Sequence, residues 1–315
     1  MPENVSETGG FDVLADVLDT MRLRGTIFFR SELAAPWGMS LEPSGLPRFH
    51  IALSGNCFVG AASGEQLSVG EMDIVMLPDG REHWIADRPG RELVQSRQAG
   101  EACELGVPMF QSGDITNRLM CGLVHFDTEM THPILDTIPD VLHLKNIEPS
   151  DAIWLIVMAI DAEMARPKGR GGRIIDKLTE ILILQLLSRY QAESGESGGF
   201  LAALGDRRLL HALALIHREP AHDWTLTSLG AQCGMSRATL LRHFEASVGL
   251  SPIAYLMNWR LVKGCNMVKY SSASLEQIAQ SVGFSSARTF NRAFQRRYGR
   301  TPTCLRQDRQ ADLPP

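Results

Sequence analysis

No apolar run in this 315-residue sequence approaches the ~18–20 residues that a membrane span needs; the best, Ile153–Ile160 (IWLIVMAI), stops far short. The opening residues MPENVSETGG lack the basic and apolar regions of a signal peptide. Cysteine is sparse: positions 57, 103, 121, 233, 265 and 304 include no close pair, which argues against a disulfide framework and for reduced thiols. Together these absences make the cytoplasm the expected compartment and exclude a membrane partner. Acidic residues run short in the last third. Residues 206–315 hold 15 Lys+Arg against 7 Asp+Glu, a net of +8, which leaves −13 for residues 1–205. That asymmetry predicts that a polyanion binds only the C-terminal part.

What is present describes two cores. A hydrophobic fraction of 44% and a charged fraction of 21% fit an ordinary globular chain, and the length suffices for two domains. The boundary falls at AESGESGG (192–199), which lacks apolar periodicity. Upstream, GMSLEP, RFHIAL, CFVGAA, EQLSV, DIVMLP and HWIAD are short apolar runs cut by Gly and Pro, predicting strands of a small antiparallel barrel or sandwich. Strands are also expected at Phe110–Gln111 and Leu119–Phe126, with a long irregular loop at Arg88–Pro108. Two helices follow, near Asp151–Ala165 and Gly172–Tyr190, divided by PKGRGG. The second is too apolar for a one-sided surface helix, so it is either deeply buried or meets a copy of itself.

Downstream the pattern turns helical, and one signature appears twice. GMSRATLLRHFEASVGLSP (234–252) and GFSSARTFNRAFQRRYGRTP (283–302) place Phe244/Phe294, Gly249/Gly299 and Pro252/Pro302 in register. Each copy predicts a capped helix after a tight turn, as a helix-turn-helix requires. Leu240 and Phe244 share one face and pack inward, leaving Arg237, Ala238, Leu241 and Arg242 outside. In the second copy Phe290 and Phe294 point inward, leaving Ala287, Arg288, Asn291 and Arg292 outside. Arg suits guanine and Asn suits adenine, so the second helix is the better candidate for hydrogen-bonded base readout. Ser236, Arg237, Ser285 and Ser286, near the helix starts, suit phosphate contacts. A bridging helix of about 18 residues would span ~27 Å, which with its flanking turns sets the two reading helices about one DNA turn apart.

The stretches WTLTSLGAQCGMSRATLLRHFEASVGLSPIAYLMNWRL and IAQSVGFSSARTFNRAFQRRYGRTP resemble the DNA-binding domain of AraC/XylS-family transcription regulators. The resemblance implies base contacts at Ala238, Leu241 and Arg242 and at Ala287, Arg288, Asn291 and Arg292. It also implies promoter DNA and RNA polymerase as partners, with a mild lean toward activation. One departure is Gly264 and Asn266 in LVKGCNMVKY, in place of the usual Ala/Leu-rich run. Gly costs about 1 kcal/mol relative to Ala there, predicting a less rigid bridge.

VGEMDIVMLPDGREHW (69–84) resembles the second conserved segment of cupins, and its flanks resemble AraC-type regulators with an N-terminal cupin domain. Enzymatic cupins present His-x-His, a Glu and a further His. Here only His83 and a single upstream His50 remain, and Met72 stands where the turn normally has Gly. Three or four ligands are needed for a metal site, so no metal, cofactor or catalytic residue is assigned. His50 and His83 are instead candidates for lining an effector pocket. Cys57, Cys103 and Cys121 raise thiol sensing; Cys103 sits beside Glu101 and Glu104, which disfavour a thiolate, and the other two lie in apolar strands.

The expectation is an α+β chain. A cupin-like β-barrel with two helices (1–190) senses an effector, forms a homodimer, or both. A linker (191–205) leads to two helix-turn-helix motifs joined by a long helix (206–308), and a tail (309–315) follows. The competing expectation is a metal-dependent cupin enzyme with an accessory helical domain.

Overall fold

Strands form where the apolar runs are shortest and most sharply punctuated. The computed structural model describes residues 11–311 apart from 62–63, 106, 108, 128–139, 167–171 and 194–198. PKGRG (167–171), the tail beyond 311 and the Cys103 side chain therefore lie outside the described residues. The chain divides into two compact units: Arg24–His125 with Ile138–Tyr190, and Met1–Leu23 with Phe126–Thr137 and Gln191–Pro315.

The first unit holds β1 (Arg24–Leu33), β2 (Gly38–Leu41), β3 (Arg48–Ser54), β4 (Cys57–Ala61), β5 (Gln66–Val69), β6 (Ile74–Leu77), β7 (His83–Ala86), β8 (Val94–Gln95), β9 (Asn117–His125) and β10 (Leu142–Leu144). They make two five-stranded sheets, ordered β1-β9-β3-β6-β10 and β5-β4-β7-β2-β8. Pairing is antiparallel except for β2 with β8. No closed barrel forms among the described residues. One apolar cluster takes Leu33, Ala52, Val75 and Leu119 from one sheet and Met39, Val59, Val69 and Ile85 from the other. The sheets thus bury a common core, as the alternation of apolar and polar positions requires.

Three local expectations change. Phe110–Gln111 is no strand: Phe110 sits at φ +63, and its carbonyl accepts from the Ala34 N–H. The loop expected at 88–108 contains β8 and a helix, α2 (Ser96–Glu104). Its sequence, SRQAGEACE, buries Ala99 and offers too few apolar residues for a readable stripe. Strand β1 (RGTIFFRSEL) was not anticipated, because its polar ends mask the apolar centre.

Asp151 caps α3 (Ala152–Met164), and α4 (Gly172–Glu193) follows. Thr179 of α4 lies so close to β1 that a Cβ on Gly25 would stand 2.1 Å from its methyl, so only glycine admits the helix. Leu182, Ile183, Leu186 and Leu187 are buried, while Ile174 and Ile181 stay 47% and 45% exposed. On α3, Leu155 and Met158 are likewise exposed.

The second unit gathers α1 (Val13–Thr20), α5 (Phe200–Gly205), α6 (Arg207–Arg218), α7 (Leu226–Gln232), α8 (Arg237–Val248), α9 (Pro252–Tyr270), α10 (Leu275–Ser281), α11 (Ala287–Tyr298) and α12 (Pro302–Ala311). Within the stretch expected as linker, α5 folds: Phe200, Leu201 and Leu204 are buried, and the Phe200 ring stacks on Tyr255 at 5.9 Å. Pro252 opens α9 at the position where its missing N–H costs nothing, with Ser251 as cap.

Candidate nucleic-acid interface

Each helix-turn-helix is built from its caps inward. Thr225 and Ser228 form a capping box on α7, and Ser274 and Gln277 form one on α10. Turns follow at Gly234 (φ +63) and Gly283 (φ +85), a left-handed conformation that glycine adopts without strain. Ser236 caps α8, its hydroxyl accepting from the Thr239 N–H at 3.1 Å, and Ser286 caps α11 through Thr289 at 3.3 Å. Gly249 and Gly299 close the two helices at φ +76 and +72.

Burial then sorts the faces. Leu240, Phe244 and Val248 of α8 and Phe290 and Phe294 of α11 are buried. Ser236, Arg237, Ala238 and Arg242 are exposed, and Leu241 is half-buried. In the second copy Ser285, Arg288 and Arg292 are exposed, while Ser286 and Ala287 are half-buried. Asn291 stands apart: it is half-buried, and its Oδ1 is enclosed without a hydrogen-bond partner among the described residues. A bidentate contact to adenine needs both ends of the amide at the surface. In this conformation Asn291 presents one at most.

Arg237, Arg242, Arg288 and Arg292 make no ion pair or hydrogen bond through their side chains among the described residues, although all four are exposed. The contrast with the sheet unit is sharp. There Arg30 pairs with Asp161, Arg91 with Asp87, Arg118 with Glu32 and Arg189 with Asp151. Four guanidinium groups on the two second helices are thus exposed and without acids among the described residues.

Helix α9 holds the two motifs together, and sequence reading missed its main device. Arg260, buried in the middle of the helix, donates to the carbonyls of Pro220 (2.6 Å), His222 (2.9 Å) and Gly283 (2.9 Å). One guanidinium thereby ties the segment before the first motif to the turn of the second. The available signal was a charged residue between Trp259 and Leu261, both buried. Gly264, expected to loosen the bridge, is a contact surface instead. A Cβ there would lie 2.6 Å from the Phe290 ring, which is itself fully buried. Asn266, the other departure, donates to the Thr20 carbonyl at 2.7 Å.

Helix α1 docks on this assembly. Asp16 accepts from Lys263 Nζ (2.6 Å) and His217 Nδ1 (2.8 Å), and the Tyr255 hydroxyl lies 2.7 Å from His217 Nε2. Burial holds His217 below its ordinary pKa, so the ring is neutral, donates to Asp16 through Nδ1 and accepts from Tyr255 at Nε2. Burial by itself raises Asp16, but hydrogen bonds from His217 and Lys263 outweigh it and leave the carboxyl below its usual value.

In the sheet unit, a cavity of about 310 Å³ lies between β2, β3 and the first turn of α2. His50 and Cys121 line it. His83 does not; it stands behind His50, with the two Nε2 atoms 2.8 Å apart. The Arg81 carbonyl can only accept, so His83 carries its proton on Nδ1 and receives one from His50 Nε2. His50 Nδ1 then accepts from the Cys121 thiol at 2.9 Å. Burial, with His83 and Arg48 adding to it, holds His50 well below its ordinary pKa, and burial pushes the Cys121 thiol up. Burial also pushes Cys57 up to about 12. The chain is neutral throughout. Among the described residues no group of three His, Cys, Asp or Glu is placed to hold a metal. Met72, at the turn position where cupins carry Gly, adopts φ +65.

Two capped helix-turn-helix units with exposed arginines on their second helices are the arrangement of a DNA-binding transcription regulator, and the comparisons with known proteins agree. The cupin family model matches residues 12–192, and the helix-turn-helix domain model matches residues 229–308. The chain belongs to the AraC family of transcription regulators and carries a cupin-type N-terminal domain. It is 28% identical over 309 residues to the HTH-type transcriptional regulator AlkR of Acinetobacter baylyi, covering 94% of this chain and 99% of that one. It is 29% identical over 312 residues to the HTH-type transcriptional regulator MtrA of Neisseria gonorrhoeae, covering 94% and 98%. Among solved structures, the DNA-binding domain of AdpA in complex with a target DNA matches at 24% identity with a TM-score of 0.33, over 35% of this chain and 97% of that one.

Proposed function

We propose that this regulator recognises specific operator sequences by laying α8 and α11 in successive major-groove segments of one DNA face. The carrying observation is the pair of exposed arginines at equivalent places, Arg242 and Arg292, each with a further exposed arginine in the first turn of its helix, Arg237 and Arg288, on two helices tied to one bridge. Helix α9, with 19 residues, spans about 28 Å at 1.5 Å per residue, and its flanking turns bring the spacing near one DNA turn. Arg242, Arg288 and Arg292 read guanine edges, with Ala238, Leu241 and Ala287 against thymine methyls. Ser236, Arg237, Ser285 and Ser286 set register on phosphates. Asn291 reads adenine only after its side chain turns outward.

In this reading residues 206–308 are the DNA-binding domain and residues 1–190 sense or dimerise, with 191–205 between them. The sheet unit binds a small effector in the cavity beside His50, and the exposed Leu155, Met158, Ile174 and Ile181 meet the same residues of a second copy. The complex works in the cytoplasm and acts on RNA polymerase. Effector binding shifts the balance between conformations that do and do not present paired DNA-binding units. DNase footprinting tests the core of this. A defined protected site that survives moderate salt supports it; uniform protection that fades with salt contradicts it.

A further inference from the structure

Helix α9 carries a polar stripe. Lys263, Asn266 and Tyr270 stand at i, i+3 and i+7, so they share one face. Each is met by a residue from outside the two motifs: Lys263 by Asp16, Asn266 by the Thr20 carbonyl, and Tyr270 by Arg22 and Asp127. Asp127 is the centre of the last contact. Its Oδ2 accepts from Lys269 Nζ at 2.5 Å and from the Tyr270 hydroxyl at 3.1 Å, and its N–H donates to the Met21 carbonyl at 3.0 Å. Arg22 adopts φ +54, uncommon for a residue other than glycine, and lays its guanidinium 3.7 Å from the Tyr270 ring centroid. All of these groups lie within one compact unit.

We propose that Asp127 is a positioning residue for DNA recognition, fixing the second reading helix α11 through the C-terminal half of α9. That half is the seat of the second motif: Gly264 admits the Phe290 ring, and Arg306 of α12 donates to the Val268 and Ala273 carbonyls. The first motif sits at the other end, where Phe244 meets the Tyr255 ring at 5.6 Å. Tyr255 and Tyr270 are about 22 Å apart along the helix, so Asp127 acts on α11 and not on α8. The chemistry of the contact also points to geometry. The Asp127 and Lys269 side chains are only 9% and 14% exposed. Enclosing such a pair adds little net stability over apolar side chains of similar size, whereas it admits few arrangements. Finally, Arg22 and Asp127 lie two residues beyond Arg24 and His125, which are register partners in the β1–β9 pair. The two segments that grip Tyr270 are thus held at one spacing by the strands they continue.

This rests on the reading of α11 as a base-reading helix. Operator affinity of the full-length protein tests it, measured by fluorescence anisotropy at one salt concentration, with every variant shown to be folded by circular dichroism. Asp127→Asn removes the charge and keeps the shape; it should bind a footprinted operator at least about threefold more weakly, with much less change on random DNA. Asp127→Glu, which retains the carboxylate, should fall between the parent and Asp127→Asn. In a double-mutant cycle the losses from Asp127→Asn and from Arg292→Ala on α11 should overlap, the double variant losing less than the product of the two. The losses from Asp127→Asn and from Arg242→Ala on α8 should multiply. Because Asp127→Asn leaves the Lys269 ammonium facing an amide, Asp127→Asn combined with Lys269→Met removes both charges and should show the same operator loss. Parental operator affinity in either variant, multiplying losses in both cycles, or equal overlap with Arg292 and Arg242, as a general folding defect would give, overturns the positioning role. An Arg292→Ala variant that binds the operator as the parent does overturns the reading of α11 as well, so the two failures are told apart by that single variant.

Discussion

Single residues decide whether the bridging helix is rigid. By helix propensity alone Gly264→Ala should stabilise α9 by about 1 kcal/mol. The Phe290 ring, 2.6 Å from the new Cβ and fully buried, opposes that with an overpacking cost of about 1–3 kcal/mol. The second effect wins, so Gly264→Ala is expected to lower the denaturant midpoint; a variant more stable than the parent would contradict the packing assignment. The glycine's absence from the family pattern was legible, but its cause was not, since the partner ring lies 26 positions along the chain. Asn266 and Arg260 teach the same lesson. Each satisfies a carbonyl brought near only by the fold, so no local spacing announces it. Arg260→Lys keeps the charge and loses the planar fork, leaving carbonyls of Pro220, His222 or Gly283 without a donor. The expected loss is about 1–3 kcal/mol in chemical unfolding, and an unchanged midpoint would show the fork to be dispensable.

At the scale of elements, caps and punctuation carried most of the information. Ser236, Ser251 and Ser274 cap the helices that begin beside them, and Gly249 and Gly299 close theirs, because these effects are local and chemical. Elements without such marks were hidden: α2 has one buried apolar residue among its described side chains, and β1 begins in Arg-Gly. The docking of α1 was also invisible, since Asp16 meets His217 and Lys263 only in three dimensions. That docking is pH-sensitive. His217 has a folded pKa below its ordinary 6.5, burial being the main cause, so the unfolded chain takes up the proton first. Its contribution is complete above about 6.5 and is lost as pH falls through the folded value. Asp16, also held below its ordinary 3.8, contributes in the same direction but in a lower window. His217→Gln should therefore be less stable than the parent at pH 7, and its stability should fall less steeply between pH 7 and 5. Parallel slopes in urea melts would remove His217 from the account.

For the molecule as a whole, the division of charge and the duplicated signature were readable because both are written in residue type and spacing. The cavity of the sheet unit was not, beyond His50, because its lining comes from strands and a helix turn far apart in the chain. The apolar residues on α3 and α4 give the dimer reading its test. Ile181→Glu places a charge on an exposed apolar surface and should convert a dimer to a monomer in light scattering, with the fold retained; an unaltered mass would move the dimer contact elsewhere.

The base-reading role of the two helices is tested most directly by the affinity of Arg292→Ala for a footprinted operator and for random DNA of equal length at one salt concentration. The variant should lose about 1–3 kcal/mol, roughly 5- to 150-fold, on the operator and much less on random DNA. Equal losses on both would reduce α11 to a phosphate contact and contradict sequence reading by this pair.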